Sequence, residues 1–95
     1  MGHARPKALR DIDDVLARIR ALPGVTERSR GVFYLRRAPF LHFHTTDETR
    51  YADAKIGATW GPEIPLPFEA SRTVKAAFMR EVRARHTACL NGGRS

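Results

Sequence analysis

Phe40-Leu41-His42-Phe43-His44 alternates apolar and polar side chains. In a β-strand, successive side chains point to opposite faces of the sheet. The alternation therefore sends Leu41 and Phe43 to one face, and Phe40, His42 and His44 to the other. Two neighbouring stretches carry the same period. Val32-Phe33-Tyr34-Leu35-Arg36 precedes it and residues 51–56 follow it. Ser29-Arg30-Gly31, Ala38-Pro39 and Thr46-Asp47-Glu48-Thr49 read as the turns between them. Residues 25–28 supply a further short strand. Residues 60–66 supply an irregular edge strand, because Pro62 and Pro65 would interrupt a central ladder.

Helical patterns flank the strands. Leu9, Ile12, Val15, Leu16, Ile19 and Leu22 form one stripe at helical spacing. Pro6 suits the first turn, and Pro23-Gly24 stops the helix. Asp11, Asp13 and Asp14 fall in its first half and Arg18 and Arg20 in its second, which suits the helix dipole. Asp14 and Arg18 are spaced as an i,i+4 pair. The last element is expected from about residue 69 to Leu90, with Val74, Ala77, Phe78, Val82 and Cys89 inward and Met79 and Leu90 at the margins. Arg72, Lys75, Arg80, Arg83 and Arg85 fill its outer side, and Asn91-Gly92-Gly93 ends it. Residues 1–5 read as a loose start and Arg94-Ser95 as a tail.

These elements assemble most simply as an α+β two-layer sandwich. It has one antiparallel sheet of four to five strands, with the N- and C-terminal helices packed on one face. Ninety-five residues make a single domain with one core, ordered over about 8–90. Phe33, Leu35, Leu41, Phe43, Ala52, Ala54 and Ile56 would face the helices. By parity, the open face would carry Val32, Tyr34, Arg36, Phe40, His42, His44, Tyr51, Asp53 and Lys55, with Trp60 at the edge. Aromatic rings, two imidazoles, an acid and two bases on one platform suggest a contact surface or a ligand site.

Composition narrows the classes. A hydrophobic fraction of 42% with 28% charged residues is ordinary for a globular chain. No apolar run approaches the ~18–20 residues of a membrane helix. No secretory signal is legible, and a lone cysteine, Cys89, forms no internal disulfide, so the cytoplasm is the expected compartment. The net charge of +7 is uneven: +5 over residues 1–37, −2 over 38–68 and +4 over 69–95. A basic flank attracts nucleic acid through a salt-dependent, sequence-independent term. Arg72, Lys75, Arg80 and Arg83 are the candidates for such contacts. The acidic balance of the sheet region argues against stacking of bases on Tyr34, Tyr51 and Trp60, as single-strand binders do.

His42 and His44 lie on one side of one strand, about 6.5–7 Å apart by strand rise. That separation lets two imidazoles reach one metal ion, and Asp53 or Asp47 would complete a three-ligand zinc site. The ordinary alternative is two surface histidines packed between Tyr34 and Tyr51. His86 and Cys89 are three apart on the last helix, within reach of each other as a nucleophile pair. Cys89 also lies on the apolar stripe as a small hydrophobe, and no oxyanion donor accompanies it. No phosphate loop and no Ser/His/Asp set is present.

Ala21-Leu22-Pro23-Gly24-Val25-Thr26-Glu27, Leu41-His42-Phe43-His44 and Tyr51-Ala52-Asp53 with Lys55 and Gly57 resemble a family of small bacterial domains labelled luciferase-like, over most of residues 8–90. That label does not establish light emission. The helix–Leu-Pro-Gly–strand opening is also similar to the MmcQ/YjbR-like double-wing domains, although this chain lacks much of their middle. Either resemblance implies an α+β domain and carries no catalytic residue onto this sequence. The first functional expectation is a non-catalytic module that binds a protein partner or a second copy through Tyr34, Arg36, His42, His44, Tyr51, Asp53, Lys55 and Trp60. The alternatives are nucleic-acid binding by the basic helices and metal or small-ligand binding at His42, His44 and Asp53, with zinc as the cofactor considered.

Overall fold

The structure, a computed structural model, describes residues 5–92. Residues 1–4 of the expected loose start, Gly93 of the expected helix end and the Arg94-Ser95 tail lie outside the described residues. A 3-10 helix, Pro6–Ile12, leads into α1, Asp13–Arg20. Six strands follow: β1 Val25–Ser29, β2 Val32–Leu35, β3 Ala38–Thr46, β4 Thr49–Ile56, β5 Thr59–Trp60 and β6 Ile64–Pro65. The chain closes with α2, Arg72–Gly92. The sheet is antiparallel in the order β1-β2-β3-β4-β5, and β6 also pairs with β4. The fold is α+β, as expected.

The split N-terminal helix follows from its apolar spacing. Leu9, Ile12 and Val15 recur every third residue, the period of a 3-10 helix, and all three are fully buried. Val15, Leu16 and Ile19 then need the α period, and the chain changes helix type at Asp13. Arg50 reinforces the tighter turn. Its NH1 group donates to the Ala8 carbonyl at 2.8 Å, a carbonyl that an α-helix would give to the amide four residues on.

One core joins helices and sheet. Leu16 and Ile19 of α1 and Phe78, Met79 and Val82 of α2 pack with Phe33, Leu41, Phe43, Ala52 and Ala54. The Phe43 and Phe78 rings stack at 5.7 Å between centroids. Gly31 makes the close approach possible. Its φ is +81°, and a Cβ there would stand 2.5 Å from Leu9 Cδ1.

Four expectations are corrected. Phe40 is 1% exposed rather than on the open face, and its ring meets His86 of α2 at 6.0 Å. A bulge causes this: Phe33 pairs with Leu41 but Tyr34 with Pro39, so Phe40 is the extra residue and parity shifts there. Ile56, expected to face the helices, is exposed at the end of β4. The α2 stripe is rotated: Val74 and Ala77 are exposed and Met79 is buried. Arg85, expected on the outer side, is buried, with Nε on Glu81 at 2.8 Å and NH1 on the Ala54 carbonyl at 2.9 Å.

Candidate metal centre on the open sheet face

The register of β3 on β4 assembles the site. His42 lies opposite Asp53 and His44 opposite Tyr51, with no irregularity between residues 41 and 46. Because side chains alternate, these four residues share one face while Leu41, Phe43, Ala52 and Ala54 go to the core. Core packing on one side thus fixes the positions of the polar groups on the other.

The histidines and Asp53 converge. The two imidazole centroids are 4.3 Å apart, at 84° between planes. His44 Nε2 is 3.0 Å from Asp53 Oδ2. One ligand atom from each of His42, His44 and Asp53 falls in a group whose members lie within 4.8 Å of one another, and all three residues are half-buried. A tetrahedral zinc ion with bonds of about 2.0–2.2 Å holds its ligands roughly 3.3–3.6 Å apart, so modest rotamer adjustment closes the group around an ion. Asp47, the other acid considered, sits exposed at the tip of the β3–β4 hairpin with a φ of +44° and is not in this group.

Aromatic rings wall the centre. His44 stacks on Tyr51 at 5.5 Å and 28°. Trp60, opposite Lys55 on β5, brings its ring within 4.8 Å of His42. Lys55 Nζ lies 5.3 Å from the Trp60 centroid, a cation–π distance. Desolvation, with Glu63 and Asp53 adding negative charge nearby, raises the pKa of Tyr51, so its phenol stays neutral at physiological pH.

The remaining predicted residues lie elsewhere. Tyr34 stands two residues along β2 from Val32, the partner of His42, and its ring takes the Arg28 guanidinium at 4.5 Å. Arg36 leaves the strand for the β2–β3 turn with a φ of +61°. On α2, Arg72, Arg80 and Arg83 are exposed, whereas Lys75 bonds Asp14 Oδ1 at 3.1 Å and the Asp11 carbonyl at 3.1 Å. Asp14 is thereby committed to Lys75 of α2, where the sequence spacing suggests Arg18. Burial is the largest influence on Asp14 and opposes its charge, but the Lys75 contact and backbone hydrogen bonds from Val15 and Asp14 together outweigh it and lower the pKa.

His86 and Cys89 turn to different partners. His86 donates from Nε2 to the Pro23 carbonyl at 2.8 Å. Cys89 directs its thiol at the carbonyls of Lys55 and Gly57, at 3.5 and 3.4 Å, and desolvation raises its pKa. That is the opposite of what a thiolate nucleophile needs. No described helix is long and apolar enough to cross a membrane. Comparison of the chain with protein-family models, curated proteins and solved structures finds no match.

Proposed function

We propose that this chain is a metal-binding domain whose open sheet face takes one divalent transition-metal ion through His42, His44 and Asp53. The observation that carries the reading is the convergence of three ligand atoms from two strands in direct register, within 4.8 Å. Two imidazoles and a carboxylate are donors that both Zn²⁺ and Fe²⁺ accept, and three protein ligands leave coordination positions for a further molecule. Calorimetric titration of the purified protein with Zn²⁺ tests this. A 1:1 isotherm that loses at least about tenfold in affinity in His42→Ala, His44→Ala and Asp53→Asn is expected. An isotherm unchanged in the His42→Ala/His44→Ala double variant removes the reading.

A second reading treats the same face as the contact surface for a protein partner or second copy. It is supported by Trp60, which is 45% exposed and stands against His42 on that face. Sedimentation equilibrium separates the two. Association that persists in a chelator and fails in Trp60→Glu favours the contact surface. Nucleic-acid binding by α2 has less support, because Lys75 is engaged by Asp14 and only Arg72, Arg80 and Arg83 of the four are left to solvent.

A further inference from the structure

A cavity of about 490 Å³ opens where the β2–β3 turn, the β4–β5 turn and the last turns of α2 meet. That volume lies within the usual range for small-molecule sites. Its wall is apolar: Leu35 and Pro39 from the hairpin, the bulged Phe40, and Leu90 from α2. Arg36 and Arg37 border it, and among the described residues no acidic side chain does. Lys55 also borders it, but its ammonium group is drawn to Trp60 and its carbonyl accepts from Cys89.

Like the exposed Arg72, Arg80 and Arg83, and unlike Arg20, Arg30, Arg50 and Arg85, Arg36 and Arg37 have no ion-pair or hydrogen-bond partner for the guanidinium among the described residues; what distinguishes them is that they border this cavity. Arg36 also holds a left-handed backbone, φ +61°, at the first position of a two-residue turn between the paired Leu35 and Ala38. Glycine is the unstrained choice there. The amide of Arg36 is fixed to the Gly24 carbonyl at 2.7 Å, so the strained residue is held in place. Asp47 and Glu69 hold the same left-handed backbone, but of the three only Arg36 borders the cavity.

We infer that this cavity is a second binding site that takes a small amphipathic carboxylate, its head on Arg36 and Arg37 and its tail against Leu35, Pro39, Phe40 and Leu90. A guanidinium presents a planar fork of donors that fits a carboxylate. The apolar wall selects a ligand with a hydrocarbon or aromatic body. The thiol of Cys89 borders the cavity but is directed at two backbone carbonyls, so binding is non-covalent. This site shares no ligand residue with the metal centre and stands without it.

The test is a heteronuclear NMR titration of the whole protein with octanoate in the presence of EDTA, with octanol and acetate as parallel arms. Octanoate is expected to shift the amides of Leu35, Ala38 and Leu90 saturably, and to bind about tenfold or more tighter than either control. Arg36→Gly and Arg37→Gln are expected to weaken octanoate by about fivefold or more each. Arg36→Gly relieves the left-handed backbone, so loss of binding in that variant is not loss of fold. Octanol binding as tightly as octanoate would overturn the inference. So would octanoate affinity unchanged from the wild type in both arginine variants, shifts confined to other residues, or no shifts at millimolar octanoate.

Discussion

Arg50 and Asp11 form a two-pronged ion pair, with NH1 2.6 Å from Oδ1 and NH2 3.0 Å from Oδ2. The arginine side chain is wholly buried, and its remaining donors reach the carbonyls of Ala8, Leu66 and Pro67. All five guanidinium N–H groups are thus satisfied, and Phe68 covers the group at 4.6 Å. Asp11 also accepts from the Glu69 amide at 2.8 Å, where the backbone is left-handed at φ +56°. One side chain ties the 3-10 helix, β4 and the approach to α2 together. Asp11→Ala leaves the buried cation without its anion and is expected to cost about 3 kcal/mol in urea unfolding. Arg50→Lys is expected to recover little, because an ammonium cannot reach the same set of acceptors.

The same pair sets an acid limit. The hydrogen bond from Arg50 is the largest cause that holds the Asp11 carboxyl down at about 2, below its ordinary 3.8, against some opposing desolvation. The folded state therefore binds this proton less readily than the unfolded chain. The contribution is complete above about pH 4 and is lost as pH falls towards 2. Solvent screening of a partly exposed carboxylate reduces it to about 1 kcal/mol. Unfolding free energy measured from pH 5 to pH 2 should fall by about that much more in the wild type than in Asp11→Asn. Parallel curves would mean that the pair does not differ between the folded and unfolded states.

The bulge in β3 predicts an asymmetry between two residues. Phe40 is buried against His86, while Val74, the apolar residue nearer the start of α2, is exposed. Phe40→Ala should cost about 3 kcal/mol or more, as loss of a buried ring does. Val74→Ala should change stability by no more than about 0.5 kcal/mol. A negligible loss in Phe40→Ala would place that ring back on the open face, and a loss of several kcal/mol, about that of a buried side chain, in Val74→Ala would place Val74 back in the core.

Arg36 should be a residue at which stability and binding part company. A left-handed non-glycine residue costs roughly 1–2 kcal/mol, offset in part by the greater backbone entropy glycine loses on folding. Arg36→Gly is therefore expected to raise the urea midpoint, by a net of about 0.5–1 kcal/mol. A lower midpoint would show that the arginine side chain makes stabilising contacts beside Gly24, where a Cβ would meet its Cγ at 3.6 Å.

Much of the candidate site was legible in strand parity. The β3–β4 ladder is regular from Leu41 to Thr46, so alternation alone put His42, His44, Tyr51 and Asp53 on one side. Alternation failed at Phe40 because a single extra residue in the ladder is invisible to a period-two pattern. The burial of Arg50 could have been read by carrying the Ala52 and Ala54 parity back one step, past Tyr51. A charged residue at an inward position looks like the end of a strand unless its partner, 39 residues away, is known. The stripe of α2 was misread for a related reason. Arg85 buries its stem and satisfies its head on Glu81 and the Ala54 carbonyl, which hydropathy does not anticipate.

Trp60 gives the metal reading an optical test. It is the one tryptophan in the chain, and its ring lies 4.8 Å from His42. A paramagnetic ion bound by His42, His44 and Asp53 would sit near the indole, and quenching by such an ion falls off steeply with distance. Cu²⁺, which binds imidazole more strongly than Zn²⁺ does, should remove most of the emission and saturate at one equivalent. Excess Zn²⁺, which does not quench by this route, should compete and restore it. In His44→Ala the Cu²⁺ titration should become shallow and lose its one-equivalent break, although Trp60 still adjoins His42. Quenching that is equally steep in His42→Ala, His44→Ala and the wild type would mean that the ion binds elsewhere, and the three donors would then be an ordinary hydrogen-bonded surface group.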